Sequence, residues 1–229
     1  MPSQAKTRRD PQKGKKGFST NKGFTLIELM IVVGVLAVIM SLAFPSYRNL
    51  IEKRQVTGTA EQLAAFLSSA KMEAVKRNKN VLLQKANDQS CMGFVTYAIN
   101  DSPNSVSCDC TVTDASADGA CSVVNLDDGG PELRRMDVSG LASRLKVTVD
   151  EVNIGANAGD DVAIDGLRGL LTVNGVAETT PPIEIKLTSL NDKYAMNVLV
   201  SATGRVTLCS DNARAEYPVP GYAECEGGD

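Results

Sequence analysis

Residues 23–45 read GFTLIELMIVVGVLAVIMSLAFP, and this stretch decides how the rest of the chain is read. From Leu29 to Phe44 it holds no charged residue. As a helix those residues rise about 24 Å, and adding Phe24 to Glu28 brings the span to roughly 30 Å, the thickness of a bilayer core. One acid, Glu28, stands near its start. An unpaired carboxylate in hydrocarbon is costly, so Glu28 calls for a partner. Snorkelling to the headgroups is the competing reading.

The chain of 229 residues carries a net charge of −3 that hides an asymmetry. Residues 1–23 hold seven cations (Lys6, Arg8, Arg9, Lys13, Lys15, Lys16, Lys22) against Asp10, a net +6. The remainder holds 17 cations against 26 acids, a net −9. A basic segment before an apolar helix stays in the cytoplasm, which sends the acidic remainder to the far side. An acidic domain is poorly suited to nucleic acid, because phosphate attraction supplies most non-specific affinity. The leader has no apolar periodicity and is set apart from the fold. The apolar run exceeds a signal-peptide core, and no A-x-A site follows Pro45, so an ordinary cleaved signal peptide is excluded. A plain signal anchor is the alternative.

The chain has no His, which removes the commonest general base and zinc ligand and lowers the expectation of an enzyme. Neither a nucleophile elbow nor a phosphate loop is present. Six cysteines, Cys91, Cys108, Cys110, Cys121, Cys209 and Cys225, all follow the apolar run. On an exported domain an even count favours disulfides, with 15 full pairings open. Free buried thiols are the competing reading. Cys108 and Cys110 are too close to pair comfortably with each other. Gly155 to Gly159, with Asp160, Asp161 and Asp165, offers oxygen ligands for a cation, but the spacing does not match an EF-hand loop. A solvated turn is the reading adopted, and no metal or cofactor is expected.

After Pro45 the helix is expected to continue to about Asn78. Val56, Ala60, Leu63, Leu67, Ala70 and Ala74 form one apolar stripe at helical spacing, the face expected to dock on a sheet. Pro45 and Gly58 are the cheapest places to bend. Strands are expected at Val81 to Leu83, Phe94 to Ile99, Leu145 to Val149, Leu170 to Val173, Ile183 to Leu187, Tyr194 to Ser201 and Arg205 to Cys209. The last two form a hairpin around Ala202-Thr203-Gly204. Residues 100–144 read as a loop-rich insertion with short strands, stapled by disulfides among Cys91, Cys108, Cys110 and Cys121. The tail reads as irregular, tied back by a Cys209–Cys225 bridge.

The string Lys22-Gly23-Phe24-Thr25-Leu26-Ile27-Glu28-Leu29 resembles the prepilin processing motif of type IV pilins and type II secretion pseudopilins. The resemblance implies a pilin-like α+β fold: a long N-terminal α-helix, half membrane-spanning and half amphipathic, packed on an antiparallel β-sheet domain. Four parts follow: a cleaved basic leader at 1–23, a transmembrane and assembly helix at 24–45, its amphipathic continuation at 46–78, and a β-rich globular domain at 79–229. It further implies cleavage between Gly23 and Phe24 by a prepilin peptidase, N-methylation of Phe24, and a kink at Pro45. Glu28 then meets the N-terminal amine of a neighbouring subunit in the filament. The protein is expected in the bacterial inner membrane, single-pass, with its globular domain in the periplasm, and later in a pilus or pseudopilus.

Two looser matches resemble the GspH/FimT/FimU group. They are Ser69-Ala70-Lys71-Met72-Glu73-Ala74-Val75-Lys76-Arg77 with Asn80-Val81, and Thr203-Gly204-Arg205-Val206-Thr207-Leu208-Cys209. Lys71 stands where that group commonly has Arg. The group implies a minor pilin or pseudopilin that joins other minor subunits and the major subunit. FimT-like DNA receptors carry a G-R-x-R motif. Here Thr207 replaces the second Arg, so DNA is not the expected partner.

Overall fold

The computed structural model describes residues 24–155, 161–177 and 183–225, apart from the side chains of 42–46. Gly23, the leader, Pro45 and Asp160 therefore lie outside the described residues or side chains, as does most of the GANAG loop. The chain divides into two compact units, residues 1–45 and 46–229.

Helix α1 runs Leu26–Arg77. Its start is capped by Thr25, whose Oγ1 accepts the Glu28 N–H at 3.2 Å. Its end is set by Asn78, which takes a left-handed φ of 53° while Lys79 N–H returns to the Ala74 carbonyl at 3.2 Å. In the first unit the helix keeps its apolar side chains exposed, with Phe24 at 81% and Met40 at 68%. No helix is long and apolar enough to cross a membrane among the described residues. The described side chains of the apolar run end at Ser41 and resume at Tyr47.

The second unit is built around the other half of α1. All six stripe residues are buried, in one core with residues of two sheets. Burying each Leu of the stripe stabilises by about 1.5–3 kcal/mol. The first sheet contains β1 (Asn80–Lys85), β2 (Cys91–Tyr97), β5 (Arg135–Asp137), β7 (Val162–Ile164), β8 (Leu171–Val173) and β9 (Val176–Ala177), in the order β5-β2-β1-β7-β8-β9. The second contains β6 (Val147–Ile154), β10 (Ile183–Ser189), β11 (Ala195–Val200) and β12 (Val206–Ser210), in the order β12-β11-β10-β6. A hairpin of β3 (Ser122–Val124) and β4 (Pro131–Leu133) stands apart. Every pairing among these strands is antiparallel.

Two expectations are corrected. Leu145 ends a helix, α2 (Val138–Leu145), rather than opening a strand. Asp137 caps it by accepting the Gly140 N–H at 2.8 Å, Val138, Leu141 and Ala142 bury its inner face, and Lys146 closes it at φ 53°. The strand expected from Phe94 to Ile99 starts at Cys91 and stops at Tyr97, in register with β1 from Lys85↔Met92 to Asn80↔Tyr97. The short strands β7 and β9 were not anticipated. The tail has no helix or long strand, but it is fixed: Val219 is buried, and Cys225 N–H donates to the Ser210 carbonyl at 2.9 Å.

Candidate functional site: the helix N-terminus and the junctions that hold the globular unit

Phe24 and Glu28 stand one helical turn apart at the start of α1. The pattern Thr25-x-x-Glu28 places a cap and an acid in the first turn, where exposed N–H groups carry partial positive charge. Glu28 thus also lies in the capped first turn of α1, its backbone N–H held by Thr25. Its carboxylate has no hydrogen-bond or ion-pair partner among the described residues. The arrangement is an exposed apolar rod with a lone acid near its tip. It can bind apolar surface laterally and a cation near its end.

The six cysteines form three disulfides: Cys91–Cys110, Cys108–Cys121 and Cys209–Cys225. The first two interleave, so neighbouring cysteines of the C-x-C pair serve different bridges. They tie β2 to the loop before β3. Gly93 in β2 makes room for this, since a Cβ there would lie 2.5 Å from Cys121 Sγ.

The helix end is locked by two junctions, the first of which brings the GspH/FimT/FimU-like segments together. In the first, Lys71 crosses the turn of the β11–β12 hairpin, and its Nζ donates to the Thr203 carbonyl at 2.8 Å. Gly204, at φ 67°, sits so close that a Cβ would meet the Gly169 carbonyl oxygen at 2.6 Å and the Lys71 stem at 3.1 Å. In the second, Glu73 is buried and pairs with Arg77, and Arg134 approaches it at 3.7 Å. Arg77 also donates to the Val124 carbonyl, fixing the β3–β4 hairpin to the helix.

On the four-stranded sheet, Arg214 donates to Asp211 Oδ2 at 2.6 Å and to Asp150 Oδ2 at 2.9 Å. Burial alone would raise the Asp211 carboxyl, but the Arg214 hydrogen bond and charge outweigh it and hold the group below its ordinary value. Beside it, Glu151 is held low chiefly by its hydrogen bond to Lys186. These charges satisfy one another. Asp161 and Asp165 take backbone roles: the Asp161 N–H donates to Asn174 Oδ1 at 3.0 Å, and Asp165 Oδ1 accepts the Leu167 N–H at 2.7 Å. No group of three or more His, Cys, Asp or Glu among the described residues could hold a metal ion.

Comparison with known proteins gives matches along most of the chain. A family model described as type II transport protein GspH matches residues 59–204, and one described as the prokaryotic N-terminal methylation motif matches residues 18–44. Fimbrial protein Q of Moraxella bovis is 36% identical over 70 residues, which are 31% of this chain and 45% of that protein. The chain thus spans less than half the length of that relative. A fimbrial protein of Pseudomonas aeruginosa is 29% identical over 138 residues, covering 58% of this chain and 81% of its own. The crystal structure of the type IV minor pilin FimU of Pseudomonas aeruginosa aligns with a TM-score of 0.42 and 17% identity, covering 71% of this chain and 97% of that one.

Proposed function

Since the chain belongs to the family of type II transport protein GspH, we propose that it is a minor type IV pilin that primes pilus assembly and sits in a tip complex with other minor pilins. Adhesion or twitching motility is the process it serves. The observation that carries this reading is the exposed apolar half of α1, with Glu28 unpartnered among the described residues. An apolar rod of this length is stable in a bilayer or among copies of similar rods, and an acid near its tip sets which axial offset between rods is favoured.

In this reading a prepilin peptidase cuts between Gly23 and Phe24, and the new amine of Phe24 is methylated. The same cut removes the basic leader and frees the cation that Glu28 of the next subunit needs. Before cleavage the amine is buried in an amide, so the pair cannot form. The globular unit supplies the surface by which the subunit recognises its neighbours. A minor pseudopilin of a type II secretion system is the second reading, favoured by the family model itself.

Quantifying the protein in sheared surface filaments tests the proposal. A minor subunit is present far below the major one, and its deletion lowers filament number. Abundance equal to the major subunit contradicts a minor role. Intact piliation with lost protein export points to the secretion system.

A further inference from the structure

Two exposed features of the globular unit stand on opposite flanks of the C-terminal end of α1. On one flank the β7–β8 turn is seated against the helix. Gly166 N–H donates to Asn80 Oδ1 at 3.1 Å, and Gly169 lies against the Lys71 stem and the Val75 side chain. Three exposed apolar side chains share this flank, Met72 and Leu167 at 64% and Val75 at 54%. Lys76, Lys79 and Arg168 are exposed beside them. None of these three cations has an acidic partner among the described residues. Asp165 is the acid of the turn, and its Oδ1 accepts the Leu167 N–H at 2.7 Å.

The other flank carries the β3–β4 hairpin, which Arg77 fixes to the helix through the Val124 carbonyl. At 3.6 residues per turn, Val75 and Arg77 point about 160° apart. The hairpin presents Val124 at 60% and Leu126 at 57% exposure, followed by exposed Asp127 and Asp128. Its turn is closed by Asn125 N–H to the Gly130 carbonyl at 2.7 Å and Gly129 N–H to the Asn125 carbonyl at 3.0 Å. Neither Asp127 nor Asp128 has a cationic partner among the described residues.

The two flanks are complementary. One is basic around an apolar centre, and the other is acidic beside an apolar tip. Apolar side chains gain by leaving water against apolar surface, so Met72, Val75 and Leu167 select a protein rather than a phosphate backbone. Unpaired cations select an acidic protein. Residues 46–229 hold 17 cations against 25 acids, Glu28 being the other acid of the remainder, so the basic flank is a local reversal of sign. A second copy of the chain supplies the matching turn.

We propose that the flank formed by Met72, Val75 and Leu167 receives the turn Leu126–Asp128 of a second copy of this chain. The proposal rests on the reading of the chain as an assembling subunit. The contact is head-to-tail: each copy uses one flank on one neighbour and keeps the other flank free for the next. It is too small to hold two copies alone, so it sorts neighbours that other contacts hold together.

The test uses the full chain, co-expressed in its own cells as two differently tagged copies. Benzoylphenylalanine replaces Leu167 in one copy, and the cells are irradiated. Benzoylphenylalanine in place of Leu190 is the control. That residue is 60% exposed, and its turn is tied to Glu52, about 35 Å along α1 from Val75. The expected result is an adduct carrying both tags from position 167 and not from 190, with the cross-linked peptide in residues 122–133. Asp127→Lys with Asp128→Lys in the second copy lowers that adduct by about tenfold or more, because like charges then face each other. Lys76→Glu with Arg168→Glu in the first copy restores it. All four positions are exposed, and restoration separates lost contact from lost folding.

Self-adduct from 167 no stronger than from 190 overturns the proposal. So does charge reversal without effect, or an adduct from 167 with nucleic acid or a different protein in place of the second copy. Sheared filaments separate the two layers of the reading. A subunit missing from them altogether overturns the assembly reading and the contact with it. A subunit that is incorporated and gives no self-adduct overturns the contact alone.

Discussion

Lys71 Nζ donates to the Thr203 carbonyl oxygen at 2.8 Å, joining residues on the helix and on the last hairpin of the sheet. The two lie far apart in sequence, yet both belong to segments that resemble the GspH/FimT/FimU group. The lysine stem runs against Gly204, and Gly204 in turn faces the Gly169 carbonyl. The long helix and two turns of the globular unit are therefore locked at one point.

Gly204→Ala should be the most disruptive small change at this lock. A Cβ would lie 2.6 Å from the Gly169 carbonyl oxygen, and the residue has a left-handed φ of 67°. The backbone strain alone costs about 1–3 kcal/mol. Lys71→Met should cost less, about 0.5–1.5 kcal/mol, since it removes one hydrogen bond and keeps the apolar stem. Urea unfolding should rank the two in that order. Equal midpoints for Gly204→Ala and the wild type would rule out the crowding.

Gly93→Ala should damage the interleaved disulfides rather than the strand itself. The new Cβ would meet Cys121 Sγ at 2.5 Å, in the Cys108–Cys121 bridge. Peptide mapping should find mispaired or free cysteines in the variant. Separately, Cys225→Ser should cost about 3 kcal/mol, the value for closing a loop of this size. It should also free the tail to proteolysis.

Acid sensitivity should depend on Arg214. Asp211 has a folded value below its ordinary 3.8, so the folded state prefers the carboxylate. Its contribution is fully present above the ordinary value and is lost as pH falls through the folded one. Arg214→Gln removes the guanidinium and leaves only the Asn197 side chain and the local backbone N–H groups to oppose burial. The stability gap between wild type and variant should therefore be wide at neutral pH and narrow below about pH 3.8. A gap that does not change with pH would show that the pair carries no charge-linked stability.

Much of the architecture is written in simple periodicities. The stripe from Val56 to Ala74 is one of them, and all six of its residues are buried. The alternation of Ile183, Ile185 and Leu187 is another. What escaped reading has physical causes. Helix α2 is only eight residues long and contains Gly140, so its signal is the Asp137 cap and a single buried face. Strands β7 and β9 span three and two residues, too short for any period to show. Cys91 to Gly93 reads as a break because of the glycine, yet that glycine is required by the approach of Cys121. Glu73 is buried on the helix, which a helical pattern alone would not suggest. Its pairing with Arg77 is visible in the spacing, but the approach of Arg134 is a tertiary fact.

Gly23→Ala should leave the leader in place. The uncleaved chain retains the +6 charge of residues 1–23 and runs as a heavier band. It should stay in the membrane fraction and be missing from sheared filaments. Normal processing would place the junction elsewhere.

In the proposed function Glu28 serves assembly, and not only insertion of the helix. The most direct measurement compares Glu28→Ala with the wild type, in membrane and sheared-filament fractions of the same cells. Thr25 still caps α1 in the variant through its own hydroxyl, so the helix should form and enter the membrane. The expected result is a processed subunit at normal level in the inner membrane and none in filaments. Normal incorporation of the Glu28→Ala subunit would contradict the account.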